Sequence, residues 1–106
     1  MRIHHLDCGP ARPFGGALMD GVSPGLVGRL TCHCLAIETD HEGIVLVDTG
    51  LGLRDMVRPW PRLPSLNAAA LRFRFDPDRT ALRHLKRLGF SPRDVRHIVL
   101  THLDFD

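Results

Sequence analysis

The sequence predicts an α/β fold, and three stretches of the chain carry that prediction. Two apolar stretches, LTCHCLAIETD (30–40) and IVLVDTG (44–50), flank a short turn and predict a pair of neighbouring strands. A helix is predicted by DPDRTALRHLKRLGF (76–90), and VRHIVLTH (95–102) follows it as a further strand. Strands, a helix and then a strand in this order are typical of an α/β arrangement, with the last strand buried.

The chain opens with a predicted strand, MRIHHLDCG (1–9), which ends at a Gly-Pro turn. Residues 10–29 are rich in Pro and Gly and have no sustained periodicity, so they predict a long loop. Loops of this length are usually either functional covers or disordered linkers, and as a cover residues 10–28 would flank a substrate. The loop has apolar side chains available for that purpose: Phe14, Leu18, Met19 and Leu26.

The hairpin of strands 30–40 and 44–50 is predicted to lie at the centre of the sheet. Ile44 to Val47 is an unbroken aliphatic run, which predicts a strand covered on both faces. Alternation places Cys32 and Cys34 on one face and His33 on the other. The single residue between these cysteines is fewer than the two to four typical of structural zinc sites. Together with Cys8, they are predicted to be reduced, half-buried strand residues.

The second half of the chain contains one irregular stretch and one well-marked helix. Prolines at 59, 61 and 64 forbid regular structure, although LNAAALRF (66–73) has the composition of a short helix. In the helix 76–90, Asp76 is the expected cap, Pro77 fits the first turn and Gly89 provides the stop. Its predicted apolar stripe consists of Leu82, Leu85 and Leu88.

Composition excludes some classes of partner. The 106 residues carry a formal charge of +2, and acidic residues are interspersed among the arginines, so no basic patch for nucleic acid is predicted. No stretch approaches the roughly 20 apolar residues of a membrane span, and the first residues lack the apolar core of a secretory signal. We therefore expect a cytoplasmic protein with no nucleic-acid or membrane partner.

The last residues, IVLTHLDFD (98–106), place His102, Asp104 and Asp106 at every second position after an apolar run. On an extended chain these side chains project to the same side, about 6.6 Å apart. One imidazole cannot neutralise two carboxylates in an apolar setting, so a divalent cation is the expected partner. Imidazole and carboxylate suit zinc, manganese or iron, and the row is compatible with two ions about 3.5 to 4 Å apart.

Asp48 strengthens this interpretation. It also comes directly after an apolar strand and is followed by a Thr-Gly turn. The carboxyl ends of strands are where α/β sheets collect their ligands, so two strand ends bearing acidic groups predict a shared site.

These stretches resemble the metallo-β-lactamase-fold hydrolases, through GIVLVDTG (43–50) and the segment from residue 76 to THLDFD (101–106), and more weakly their lactonase-like branch. The resemblance implies an αββα four-layer sandwich, two sheets between helices, of which residues 1–106 would be a partial, N-terminal domain truncated at the metal motif. It implies His102 and Asp104 at a first metal, Asp106 at a second where it positions the attacking water, and Asp48 orienting a ligand or the water. Two divalent ions, zinc before manganese or iron, are the implied cofactors.

Two departures from the family pattern stand out. Asp104 takes the place of a commoner histidine, and a carboxylate favours harder ions than an imidazole does. The histidine that follows the last aspartate of the family motif is absent after Asp106. The resemblance predicts a hydrolase that uses metal-bound hydroxide on an ester, lactone or thioester-type acyl bond of a small-molecule substrate. The departures predict that this chain is inactive by itself. The missing C-terminal half or a partner chain would complete the site. The alternative is a non-catalytic α/β interaction domain with a solvated acidic tail.

Overall fold

The computed structural model of the chain describes residues 1–57, 72 and 76–103. The predicted short helix at 66–73 falls almost entirely outside the described residues, as do the prolines at 59, 61 and 64. The strands are β1 (Arg2–Ala11), β2 (Leu30–Glu38), β3 (Ile44–Val47) and β4 (Val95–Val99). The helices are α1 (Ala17–Asp20), α2 (Leu53–Val57) and α3 (Ala81–Arg87), with 3₁₀ turns at Pro77–Arg79 and Pro92–Asp94.

The four strands form one mixed sheet in the order β1-β2-β3-β4. β1 pairs antiparallel with β2, and β2 pairs antiparallel with β3, so the predicted central hairpin is confirmed. β3 pairs in parallel with β4, because the chain crosses over through α3 before it returns to the sheet. The carboxyl ends of β3 and β4 therefore meet at the same edge of the sheet.

The core lies on the face of the sheet that α3 covers. Leu6, Cys34, Ala36 and Leu46 are buried there, together with Leu85 of the helix. All three cysteines are reduced and buried rather than half-buried, while His33 is exposed on the opposite face, as alternation predicts. The expectation that both faces of β3 are covered holds only for one face in the described residues, since Val45 and Val47 are half-buried.

The prediction that the last strand is buried is wrong for the described part of the chain. Ile98 is 55% exposed and Val99 is 51% exposed. The reason is position: β4 is the end strand of the sheet. Ile98 instead borders an apolar cleft of about 410 Å³, whose lining includes Leu46, Leu82, Leu85 and Val95.

The caps and stripe of the helix differ in part from the prediction. Asp76 caps the 3₁₀ turn by accepting from the Asp78 amide, whereas Thr80 caps α3 by accepting from the Arg83 amide. Ala81 and Leu85 are the buried residues of α3, and Leu82 and Leu88 are about 40% exposed. Residues four apart stay on one helical face, whereas residues three apart drift around the axis, so Leu82 and Leu88 flank the contact with the sheet.

The long loop after β1 is ordered around one carboxylate. Asp20 accepts hydrogen bonds from the amides of Val22 and Ser23, from the Ser23 hydroxyl and from the Arg29 amide, at 2.5–2.9 Å. The predicted lack of regular structure in the loop is confirmed except for the single turn of α1 and one bridge between Phe14 and Val27.

Among the described residues, no helix is long and apolar enough to cross a membrane.

Candidate functional site

Asp48 stands at the carboxyl end of β3 with an unusual backbone. Its φ is +57°, in the left-handed region that residues with a Cβ rarely adopt, although Asp and Asn enter it more readily than most. Its amide donates to the carbonyl of Val99 at 2.8 Å, which carries the parallel pairing one step beyond the two strands. The side chain is 9% exposed. The left-handed residue ends β3 and keeps its carboxylate directed at the β4 side of the site.

Thr101 holds that carboxylate with two bonds. The Thr101 amide donates to Oδ1 of Asp48 at 2.8 Å, and the Thr101 hydroxyl donates to Oδ2 at 2.6 Å. We call this contact the Asp48–Thr101 clamp. It joins two residues that are 53 positions apart in the chain. Because both carboxylate oxygens are engaged by one residue, the clamp fixes the position of the segment that follows β4.

The clamp also fixes the charge of Asp48. The hydrogen bond from the Thr101 hydroxyl, followed by that from the Thr101 amide, lowers the pKa of the Asp48 carboxyl below its usual range. Burial opposes this shift, and the nearby imidazole of His102 adds to it. Hydrogen bonds to the ionised form favour that form, so Asp48 is a carboxylate at neutral pH.

Gly50 allows the turn after Asp48 to lie close to β1. Its φ is +64°, and a Cβ added there would lie 2.7 Å from Cβ of Cys8, closer than real contacts permit. The predicted sharp Thr-Gly turn is therefore present, and it packs the site against the buried cysteines of the sheet.

His102 follows the clamp directly and is exposed. The structure thus brings two of the predicted site residues, Asp48 and His102, to one edge of the sheet. The other two, Asp104 and Asp106, lie outside the described residues, and their metal and catalytic roles stay predictions. Within the described ranges, no group of three or more His, Cys, Asp or Glu side chains is placed to hold a metal. The predicted donors, one imidazole and two carboxylates, have the chemistry that divalent zinc, manganese or iron requires.

Thr101 is a residue of this candidate site that was not predicted from the sequence. The available signal was its position: a hydroxyl residue immediately before His102, on the strand predicted to end beside Asp48. Three further histidines, one each on β1, α3 and β4, contact neighbouring residues away from this site. His4 lies 2.6 Å from Glu38, His84 lies 2.8 Å from the Asp7 carbonyl, and His97 lies 3.8 Å from Glu42.

Residues 27–106 match the sequence profile of the metallo-beta-lactamase superfamily, which is three quarters of the chain. The chain belongs to this superfamily. Two curated relatives, both described as probable metallo-hydrolases, come from Mycobacterium tuberculosis and Mycobacterium bovis. Each is 43% identical over the whole chain, and the chain spans 29% of their length.

Solved structures of the superfamily share the fold. An N-acyl homoserine lactone hydrolase with N-hexanoyl-L-homoserine at its catalytic metal centre superposes with a TM-score of 0.73 at 25% identity. The alignment covers 98% of this chain and 41% of that one. A probable metal-dependent hydrolase from Staphylococcus aureus gives 0.68 at 20% identity, covering 99% and 38%. The chain therefore has the N-terminal portion of a metallo-β-lactamase fold, as predicted.

Proposed function

We propose that this chain carries one half of the metal site of a metal-dependent hydrolase that cleaves an ester, lactone or thioester-type acyl bond. The observation that carries the proposal is the Asp48–Thr101 clamp, which ties the end of β3 to the residue directly before His102. This contact holds the segment after Thr101 in one position, which is what a segment that carries metal ligands requires.

The residues of the chain divide the work as follows in this proposal. His102, Asp104 and Asp106 hold two divalent ions, with zinc first and manganese or iron as alternatives. A bound ion of this kind lowers the pKa of water to about 7 and so supplies a nucleophile at neutral pH. Asp106 orients the attacking water, and Asp48 fixes the ligand-bearing segment through Thr101. Asp48 stays ionised, so its negative charge also favours cations at this edge of the sheet.

The acyl-bond assignment is supported by the solved N-acyl homoserine lactone hydrolase, which is 25% identical to this chain and superposes on 98% of it. The loop 12–29 agrees with such a substrate, because Leu18 and Leu26 present almost fully exposed apolar side chains. We propose that residues outside this chain supply the remaining ligands and most of the pocket. The relatives' greater length and the exposed Ile98 and Val99 of β4 support this part of the proposal.

The test is metal analysis and hydrolysis by the full-length protein, measured with a panel of esters, lactones and thioesters. We expect bound divalent metal in stoichiometric amount. His102→Ala and Asp106→Ala should each lower kcat/KM by about a hundredfold or more, since even partners of metal ligands contribute about 10- to 100-fold.

Two exposed residues of the turn after β2 provide matched controls, His41→Ala and Asp40→Ala. Both should leave metal content and hydrolysis unchanged. A full-length protein without stoichiometric metal, whose hydrolysis survives Asp106→Ala, would contradict the proposal and support the non-catalytic interaction domain.

A further inference from the structure

Two histidines meet on the face of the sheet that α3 does not cover. His5 lies on β1 and His33 on β2, and the backbone partner of His33 across the pair is Asp7. His5 is therefore the diagonal neighbour of His33, a spacing that long side chains can bridge. Nδ1 of His5 lies 3.1 Å from Nε2 of His33, and both side chains are exposed. The ring centroids are 5.2 Å apart and the rings are tilted by 52°.

This separation of the two nitrogens matches the span of two ligands on one ion. With metal–nitrogen bonds of about 2.0 to 2.1 Å, two donors at a right angle are about 2.9 Å apart, and two at the tetrahedral angle about 3.3 Å apart. The observed 3.1 Å lies between these values. A single ion could therefore replace the shared hydrogen without moving the two strands.

We propose that His5 and His33 form a second metal site, separate from the His102 motif, which takes a late first-row divalent ion such as Cu²⁺ or Ni²⁺. Imidazole suits these ions, and the order of affinities along the series places Cu²⁺ first. The angle implied by 3.1 Å lies midway between a right angle and the tetrahedral angle, so the order of affinities, and not the angle, favours Cu²⁺. This inference does not rest on the proposed hydrolase function.

The surroundings define a site with two protein donors. Asp7 lies on the same face, but its carboxylate accepts from the Gly9 amide at 3.0 Å and lies 3.5 Å from the Arg79 guanidinium. No third His, Cys, Asp or Glu is placed to complete a ligand group in the described part of the chain. Because the pair is exposed, water completes the coordination. The site lies on β1 and β2, at the opposite side of the sheet from β4.

The proton balance is simple. Each neutral imidazole carries one N–H, and the observed contact places one of these hydrogens between the rings. On metal binding, the donating ring carries its proton on the other nitrogen, so both facing nitrogens offer lone pairs to the ion. The pair releases no net proton when both rings start neutral. An imidazolium cannot bind the ion, so protonation of either ring competes with the metal.

The experiment is a Cu²⁺ titration of the chain in a His102→Ala background, which removes the predicted ligand at the other site. The ring signals of His5 and His33 in NMR spectra should broaden before those of the remaining histidines, and one ion per chain should bind at the pair. His5→Gln and His33→Gln should each weaken this binding by about tenfold or more, because each removes one of two protein donors.

His41→Gln is the matched control, since it removes an exposed histidine in the turn after β2. It should leave the affinity unchanged, and circular dichroism should report an intact fold in every variant. Equal affinity in the parent, His5→Gln and His33→Gln would overturn the proposal, as would first broadening at any other histidine. Neither outcome bears on hydrolysis by the full-length protein, so the two proposals fail independently.

Discussion

The loop after β1 and the edge formed by β3 and β4 are each organised by one aspartate, but in opposite ways. Asp20 gathers four hydrogen bonds from residues that lie two to nine positions away in the chain. Asp48 gathers two bonds from a single residue 53 positions away. Hydrogen bonding lowers the pKa of both carboxyls, through the Ser23 hydroxyl for Asp20 and the Thr101 hydroxyl for Asp48.

The difference concerns what each carboxylate stabilises. The bonds of Asp20 close short loops, which costs little entropy, and the residue is half-buried. The bonds of Asp48 form only when β3 and β4 are paired, so they report on the tertiary fold. Loss of Asp20 should therefore disturb one loop, whereas loss of Asp48 should destabilise the sheet and the segment that carries His102.

The largest expected effect follows from Asp48→Ala. This substitution removes both bonds to Thr101 and leaves alanine in the left-handed region, which Asp enters more readily. Hydrogen bonds to charged groups contribute about 1.5 to 3 kcal/mol, so we expect the free energy of unfolding to fall by about 3 kcal/mol. Urea denaturation of the chain measures this change.

Two variants dissect that effect. Thr101→Val removes only the hydroxyl and should cost about 1.5 kcal/mol, whereas Thr101→Ser keeps the hydroxyl and should cost less than half of that. If Thr101→Val and Thr101→Ser are equally stable, the hydroxyl contributes nothing and the clamp has been misassigned.

A smaller effect is expected from Gly50→Ala, with Gly21→Ala as its matched control. Both glycines have a positive φ, so both substitutions introduce similar backbone strain. An added Cβ at Gly50 would meet Cβ of Cys8 at 2.7 Å, whereas one at Gly21 would have no heavy atom of the described residues within 4 Å apart from its chain neighbours. We expect Gly50→Ala to cost about 2 kcal/mol more, since overpacking costs about 1 to 3 kcal/mol. Equal thermal stability of the two variants would contradict the close packing of the turn.

The smallest effect concerns Asp20 and pH. Because its pKa is lower in the folded chain than in the unfolded chain, its contribution to stability is present above the ordinary Asp pKa of about 3.9. That contribution is lost progressively as the pH falls below this value toward the lower pKa of the folded state. Amide exchange at Val22, Ser23 and Arg29 should therefore accelerate in acid, and Asp20→Asn should already show fast exchange at neutral pH. Unchanged exchange in Asp20→Asn would show that the loop is ordered by other contacts.

The sequence predicts most of the frame of this fold. The neighbouring strands, the parallel return of β4 after the helix, and the facing of Cys32 and Cys34 follow from alternation and connection rules. The meeting of Asp48 and His102 at one edge follows from the same rules, because parallel strands end on the same side. What could not be read was the partner of Asp48, since the Thr101 contact depends on the register between strands far apart in sequence.

Burial was harder to predict than topology. Aliphatic sequence predicts burial both for β3 and for the row Ile98, Val99 and Leu100, yet this row is more than half exposed. The exposure of a strand depends on what packs against it and not on its own residues. The helix shows a different limit. Asp76 and Thr80 are both good caps four residues apart, and only the structure decides which one begins the 3₁₀ turn and which one begins α3.

The position of β4 at the end of the sheet affects how residues 1–106 behave in concentrated solution when they are taken by themselves. In the part of the chain that the structure describes, β4 borders the sheet without a further neighbour, and Ile98 and Val99 are more than half exposed. Such a border is a template on which another chain can add its own strand. Self-association of this segment should therefore begin at β4, and a lysine in place of Val99 is the simplest change that would discourage it.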